Sequence, residues 1–283
     1  MGHLTIFLLQ QAYAMFYKQY EPSHQLKPFI KCFWILEGPA ITGTGQVEKI
    51  LPDGCIEIIW HYGDAFKRVN YNGSTETQPG SFIIGQVKQY IQVMATGSIG
   101  VMGIRFYATG LAAFTNIPIC AFTGQTVTLD NVFGKSVNTL LHNMAPAGKD
   151  NKVALMQVLL IKKLGSNKKY DFVIDAIVKK IILHNGQVSM HTLLKNFKIS
   201  ERHFERQFKK MVGVGPKFFA RLTRFNSIMQ AAAGNSTKTV SLTYLGGYYD
   251  EAHFIKDFTA FTGESPGSYF NSNHVLTALF MQV

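Results

Sequence analysis

Cysteine is scarce in this chain. Three residues, Cys32, Cys55 and Cys120, are spread over 283 positions, and their number is odd. No C-x-x-C pair occurs, which argues against a zinc ribbon and a disulfide framework and fits a reducing compartment. A cytoplasmic location is the expectation. Histidine clusters are missing too. His24, His61 and His142 are scattered through the first half, whereas a metal-binding jelly roll gathers its His with a nearby Glu. No metal and no cofactor are therefore expected. The opening stretch MGHLTIFLLQQAYAM is apolar but too short to span a bilayer. It also lacks the basic n-region of a signal peptide. It reads as a leader ahead of Met15, with no membrane partner.

Acidic residues are also in short supply. Seventeen Asp and Glu face 28 Lys and Arg, a formal net charge of +11 with a pI near 9.5. A basic surplus points toward a polyanion, most often nucleic acid, and its distribution decides more than its size. With 47% hydrophobic and 16% charged residues the composition is that of a folded chain. Its length suits one or two domains whose core needs no staples.

From Tyr17 to Phe106 the pattern is strand-like. EKILPDGCIEIIWHYGD sets a Pro-Asp-Gly turn between two apolar runs, a hairpin signal. GSFIIG, YIQVMAT and GVMGIRF are short runs rich in β-branched and aromatic residues, separated by Gly and Ser. Such spacing predicts a sandwich or barrel. LDNVFGKSVNTLLHNM and NKVALMQVLLIKKL then carry apolar residues at helical spacing. The polar LGSNKKYD marks a boundary, giving a first domain over 1–165 and a second over 171–283 that reads as short helices throughout. The predicted class is α+β: a β-rich, barrel or jelly-roll-like domain with trailing helices, then an all-α domain.

The second domain contains a repeat. SERHFERQFKKMVGVGP begins at Ser200, and DEAHFIKDFTAFTGESP begins fifty positions later at Asp250. Phe204, Phe208 and Met211 share one helical face, as do Phe254, Phe258 and Phe261. Ser200 and Asp250 suit N-caps. Gly213 and Gly263 fall where a helix-ending glycine belongs, and Pro216 and Pro266 can open the next helix. The apolar segments MHTLLKNF and SLTYLG precede the two copies, so each reads as helix, turn, helix. PKFFARLTRFNSIMQAAA joins them as a continuous helix. Charge divides unevenly: residues 186–238 hold ten Lys and Arg against two Asp and Glu, and residues 239–283 hold one Lys against four Asp and Glu.

These residues carry a resemblance. GGYYDEAHFIKDFTAFTGESPGSYF resembles the signature of the AraC/XylS transcriptional regulators, with Gly247, Tyr248, Asp250, His253, Phe254, Phe258, Gly263, Ser265, Pro266 and Tyr269 at its recurring positions. The similarity runs from about Val173 to Phe270. FIKCFWILEG, ILPDGCIEIIWHYGD, IIGQV and GVMGIRFYATGLAAF also resemble a sensor-like domain found ahead of this module. The resemblance implies a bacterial regulator with two helix-turn-helix units joined by a helix. It implies base reading by Arg202, Glu205 and Arg206 in the first unit, and by Ala252, Ile255 and Lys256 in the second. Arg pairs with guanine, and Glu accepts from cytosine N4. Ala252 and Ile255 offer only apolar contact, while Lys256 can donate. Lys209, Lys210, Arg221 and Arg224 read as phosphate contacts. The first unit is therefore expected to dominate binding, with Glu251 and Asp257 repelling phosphates near the second.

Other residues receive local readings. His203 and His253, at matching repeat positions, read as packing residues. Glu57, alone in an apolar run, reads as an inward polar group of a pocket or, at period 2, as a solvent-facing residue, with solvent the favoured side, and Arg105 poses the same choice. Cys55 reads as a lone buried thiol. The apolar ending NSNHVLTALFMQV reads as a covering helix or a dimer contact. The expected partners are duplex DNA, a small-molecule effector and RNA polymerase, with the chain a monomer or homodimer. The competing readings are a DNA-docked enzyme resembling repair transferases, and a ligand-binding module that has lost DNA binding.

Overall fold

The computed structural model describes residues 15–40, 47–165, 170–234, 246–248 and 250–271. SLTYLG lies almost wholly outside these residues, as do the leader and the apolar C-terminal ending. The described first half holds ten strands: β1 Phe16–Tyr20, β2 Ile30–Gly38, β3 Val47–Ile50, β4 Ile56–His61, β5 Lys67–Val69, β6 Thr75–Thr77, β7 Ser81–Ile84, β8 Ile91–Met94, β9 Ile99–Phe106 and β10 Thr126–Thr128. They form a six-stranded sheet in the order β1-β2-β9-β4-β7-β10 and a four-stranded sheet in the order β3-β8-β5-β6. The two remain separate sheets, so the domain is an open sandwich and not a closed barrel.

The Pro-Asp-Gly turn does not make a hairpin. β3 pairs with β8, while β4 pairs with β7 and β9, so the turn carries the chain from one sheet to the other. The local signal is right about a turn and blind to which strands pair. The larger sheet is buried on both faces. Ile56, Ile58 and Trp60 of β4 face the core shared with the helices, and Ile59 faces the apolar layer between the sheets. That layer also takes Trp34, Phe82, Val93 and Val101. Strands covered on both sides lose the clean alternation that a one-sided sheet shows.

Nine helices follow among the described residues: α1 Leu129–Phe133, α2 Ser136–Met144, α3 Lys149–Lys163, α4 Phe172–Leu183, α5 Met190–Phe197, α6 Glu201–Val212, α7 Pro216–Gly234, α8 Glu251–Thr262 and α9 Pro266–Asn271. Gly134, at φ +88°, splits α1 from α2. Asp171 caps α4 by accepting from the backbone of Val173 and Ile174 at 3.0 and 3.1 Å. Asp250 caps α8 by accepting from the His253 N–H at 2.7 Å. Ser200 occupies the equivalent position before α6, but its side chain makes no capping bond. Gly213 and Gly263 close α6 and α8 in the left-handed region, at φ +95° and +76°.

Apolar packing ties the units together. One core runs from the sheet through Ile174 and Ile177 of α4 to Phe204, Phe208 and Met211 of α6 and Phe219 of α7. A second core collects Phe225 and Ile228 of α7, Phe254, Phe258 and Phe261 of α8, and Leu51 from the end of β3. Phe208 and Phe258 are equivalent in the repeat and both are fully buried, yet they lie in different cores. Truncating either to Ala should cost about 3–5 kcal/mol in denaturant unfolding. Hydrogen exchange should separate the two: F208A should loosen amides of the six-stranded sheet, and F258A should leave them protected while exposing α8.

Candidate nucleic-acid interface

α6 is anchored by Phe204, Phe208 and Met211, which leaves its opposite side in solvent. Arg202, Glu205, Arg206, Lys209 and Lys210 are all exposed there. Positions 202, 205 and 206 share one face by helical spacing. The turn before α6 is made by Lys198, at φ +53°, a left-handed residue that ends α5. On α8 the matching Ala252, Ile255 and Lys256 are exposed as well.

The remaining charges of the second unit sit differently. Asp257 is buried, not displayed. Arg221 of α7 donates Nε to both its carboxylate oxygens, at 3.1 and 3.2 Å, and a terminal nitrogen to Oδ1. Tyr248 Oη donates to Oδ2 at 3.3 Å. Helical spacing from Phe254 alone does not reveal a partner supplied by another helix. Arg224 stacks over Tyr248, 5.1 Å from the ring centre, and donates to the Gly186 carbonyl at 3.5 Å. Both arginines thus tie α7 to its neighbours, and phosphate contact would come in addition to that work. His203 and His253 are both exposed. His203 Nδ1 lies 3.4 Å from Arg206.

Both α6 and α8 end on the β domain. Thr123 Oγ1 donates to the Gly213 carbonyl at 2.8 Å. Tyr90 N–H donates to the Phe261 carbonyl at 3.1 Å. Lys49 donates to the Thr262 carbonyl at 3.0 Å and pairs with Glu264. Residues 263–267 spell G-x-S-x-G, but they join two helices, whereas a nucleophile elbow joins strand to helix. Ser265 Oγ there accepts from the Ser268 N–H at 3.3 Å.

Residues 193–272 match the model of a helix-turn-helix domain, and residues 18–128 match that of a domain of unknown function, DUF6597. The C-terminal region is an AraC-type helix-turn-helix domain. No curated protein matches the chain. Among solved structures the chain is similar to ToxT from Vibrio cholerae, at 10% identity over 81% of this chain and 96% of that chain, TM-score 0.43. It is similar to the unsaturated-fatty-acid-bound form of ToxT at 12% identity, over 81% and 95%, TM-score 0.41. A cupin_2 domain of an XRE family regulator from Enterobacter cloacae is similar at 13% identity over 33% and 97%, TM-score 0.25.

Ahead of the AraC-type domain, the sandwich buries charges for which the sequence left both solvent and a pocket open. Glu57 lies on the inner face of β4, and Arg105 of β9 is 3% exposed. Arg105 Nε donates to Glu57 Oε1 at 2.6 Å, and a terminal nitrogen lies 3.4 Å from Asp53 Oδ2. The available signal was a carboxylate and a guanidinium, each alone in an apolar strand. The docking residues Thr123, Tyr90 and Lys49 carried no such signal.

His61 lies on the same strand face as Glu57. Burial pushes its pKa down to about 4, partly offset by a contact of 3.2 Å with Gln78. A folded-state pKa below the ordinary His value means that the unfolded chain binds the proton first. Stability should therefore fall as pH drops from about 6.5 toward 4. Urea unfolding at several pH values should show that H61Q has a shallower loss across this window than the parent chain.

Proposed function

We propose that this chain is a sequence-specific, DNA-binding transcription regulator in which α6 supplies most of the affinity and base readout. The observation that carries the reading is the face of α6: Arg202, Glu205, Arg206, Lys209 and Lys210 stand in solvent while Phe204, Phe208 and Met211 hold the helix in place. Arg202 and Arg206 take guanine, Glu205 takes cytosine N4, and Lys209 and Lys210 grip phosphates. The reading assigns no catalytic step. The protein works on duplex DNA in the cytoplasm, with the sandwich as its regulatory unit.

The turn between β3 and β4 supports regulation by the sandwich. Leu51 packs in the core of the second helix-turn-helix unit. An added Cβ at Gly54 would lie 3.4 Å from the Phe219 ring of α7. Asp53, between them, pairs with Arg105 inside the sandwich. A change within the sandwich thus reaches α7 through one short turn.

Gel-shift titration tests the main reading. With Lys209 and Lys210 on phosphates, α6 alone should give a log-log salt slope of about −1.8. A slope near zero would remove nucleic acid from the account. Arg206→Ala should cost about 1–3 kcal/mol on the preferred site and relax one base pair, whereas Lys210→Ala should weaken all sequences alike.

Readout should also be lopsided. Ala252 and Ile255 can touch a thymine methyl but cannot donate or accept. Base-by-base substitution under a footprint should show strong discrimination in one half-site and tolerance in the other, about one helical turn away. Equal discrimination in both would place the reading outside α8.

A further inference from the structure

The two copies of the repeat differ at the residue after the helix-ending glycine. Position 214 is Val, buried in the core that α6 shares with the sandwich. The equivalent position 264 is Glu, and its carboxylate pairs with Lys49 of β3. Apolar packing therefore seals α6 to the sandwich. The core of the second unit takes only Leu51 and, partly buried, Tyr90 from the described sandwich residues. With so small an apolar seat, the attachment of α8 to the sandwich depends on polar contacts.

Lys49 gathers several of these. Its Nζ donates to the Thr262 carbonyl at 3.0 Å, pairs with Glu264, and lies 4.5 Å from the centre of the Tyr90 ring. The pair is largely withdrawn from solvent, with 13% of the Lys49 side chain and 24% of the Glu264 side chain exposed. An ammonium on a helix-end carbonyl and a carboxylate makes hydrogen bonds of the stronger, charge-assisted class. Glu264 Oε2 also accepts from Ser268 Oγ of α9 at 3.3 Å, so one carboxylate ties the next helix to the same anchor. Tyr90 completes the seat, its N–H donating to the Phe261 carbonyl at 3.1 Å. Without this anchor the second unit would sit at the end of α7, a lever about 28 Å long, and a gentle bend of that helix would swing it.

We infer that Lys49 is a positioning residue for DNA readout: through Thr262 and Glu264 it pins the far end of the second helix-turn-helix unit to the sandwich and so fixes the spacing of the exposed faces of α6 and α8. The role in readout rests on the proposed DNA-binding function; the pinning itself does not.

Gel shifts with the full chain test the role in readout. They compare the preferred site with the same site carrying two base pairs inserted between its half-sites, which turns one half by about 70° against the other. The parent chain should prefer the native spacing roughly tenfold, and Lys49→Met should cut that preference to about threefold or less. Lys49→Arg, which keeps the charge, should hold it. Should the Met variant fail to fold, Glu264→Gln, which leaves the sandwich intact, takes its place with the same expectation. A lysine that only adds stability would leave the spacing preference alone. No spacing preference in the parent, a preference unchanged in the variant that folds, or one lost equally in Lys49→Arg would each overturn the assignment. Hydrogen exchange at the Tyr90 amide, followed without DNA, forms a separate arm. Removing the Lys49–Glu264 pair should speed it about tenfold while the Phe208 amide stays protected. Unchanged exchange at Tyr90 would overturn the pinning. If the parent chain binds no DNA specifically and the Tyr90 amide still responds, the DNA-binding reading and the role in readout fall together and the pinning stands.

Discussion

A helix that ends in a left-handed glycine leaves its last carbonyls without intrahelical partners. In this protein two such ends, fifty residues apart in a repeat, are satisfied by the same neighbouring domain. Thr123 Oγ1 reaches the Gly213 carbonyl, and the Tyr90 N–H and Lys49 reach the Phe261 and Thr262 carbonyls. A Cβ at Gly213 would sit 2.9 Å from Thr123 Oγ1, and one at Gly263 would sit 2.3 Å from the Tyr90 ring. Glycine is thus required twice over, for the backbone angle and for the approach. The orientation of the exposed faces of α6 and α8 is set by where the sandwich offers its donors, as well as by the stiffness of α7. At 1.5 Å per residue α7 is about 28 Å long, and it carries one core on each half.

That arrangement gives residues 51–55 an unusual position. Leu51 belongs to the core of the second unit, Asp53 to the charge group inside the sandwich, and Gly54 lies against Phe219 and Leu222. The Gln86 amide holds the turn by donating to the Gly54 carbonyl at 2.7 Å. Packed interiors resist continuous deformation. A shift of Asp53 toward or away from Arg105 must therefore move Leu51 and Gly54 with it or break their packing. The same five residues serve as sandwich lining, core plug and helix rest, which is why a Pro-Asp-Gly turn here does not behave as a hairpin loop.

How much of this could be read from the chain alone follows from the range of each interaction. The repeat was legible because its signals are local: the Phe spacing, the glycines at 213 and 263, and the prolines at 216 and 266 each act within one helix and its next turn. The exposed side of α6 followed from the same spacing. What failed was long-range. Glu57 looked solvent-facing because alternation along β4 says nothing of a second sheet lying over that face. The turn at residues 52–54 looked like a hairpin because pairing of β4 with β9 spans forty-odd residues of chain. Asp257 looked like a surface charge because its partner, Arg221, lies on another helix, 36 residues away.

The burial of Asp257 changes the electrostatic account of the second unit. Summed along the chain, that half is acidic, which suggests repulsion from phosphate. In the fold, Asp257 is covered and neutralised by Arg221, and Glu264 is paired with Lys49. On the solvent side of α8, Asp250, Glu251 and Lys256 then leave a single negative charge. A face with so small a charge exerts little pull or push on a polyanion. The exposed α6 face, with Arg202, Arg206, Lys209 and Lys210, is the more basic of the two, and the end of α8 is fixed by Tyr90 and Lys49. The asymmetry of the repeat is therefore one of a basic face against a nearly neutral one, and the placing of the second helix rests on its attachment to α7 and the sandwich.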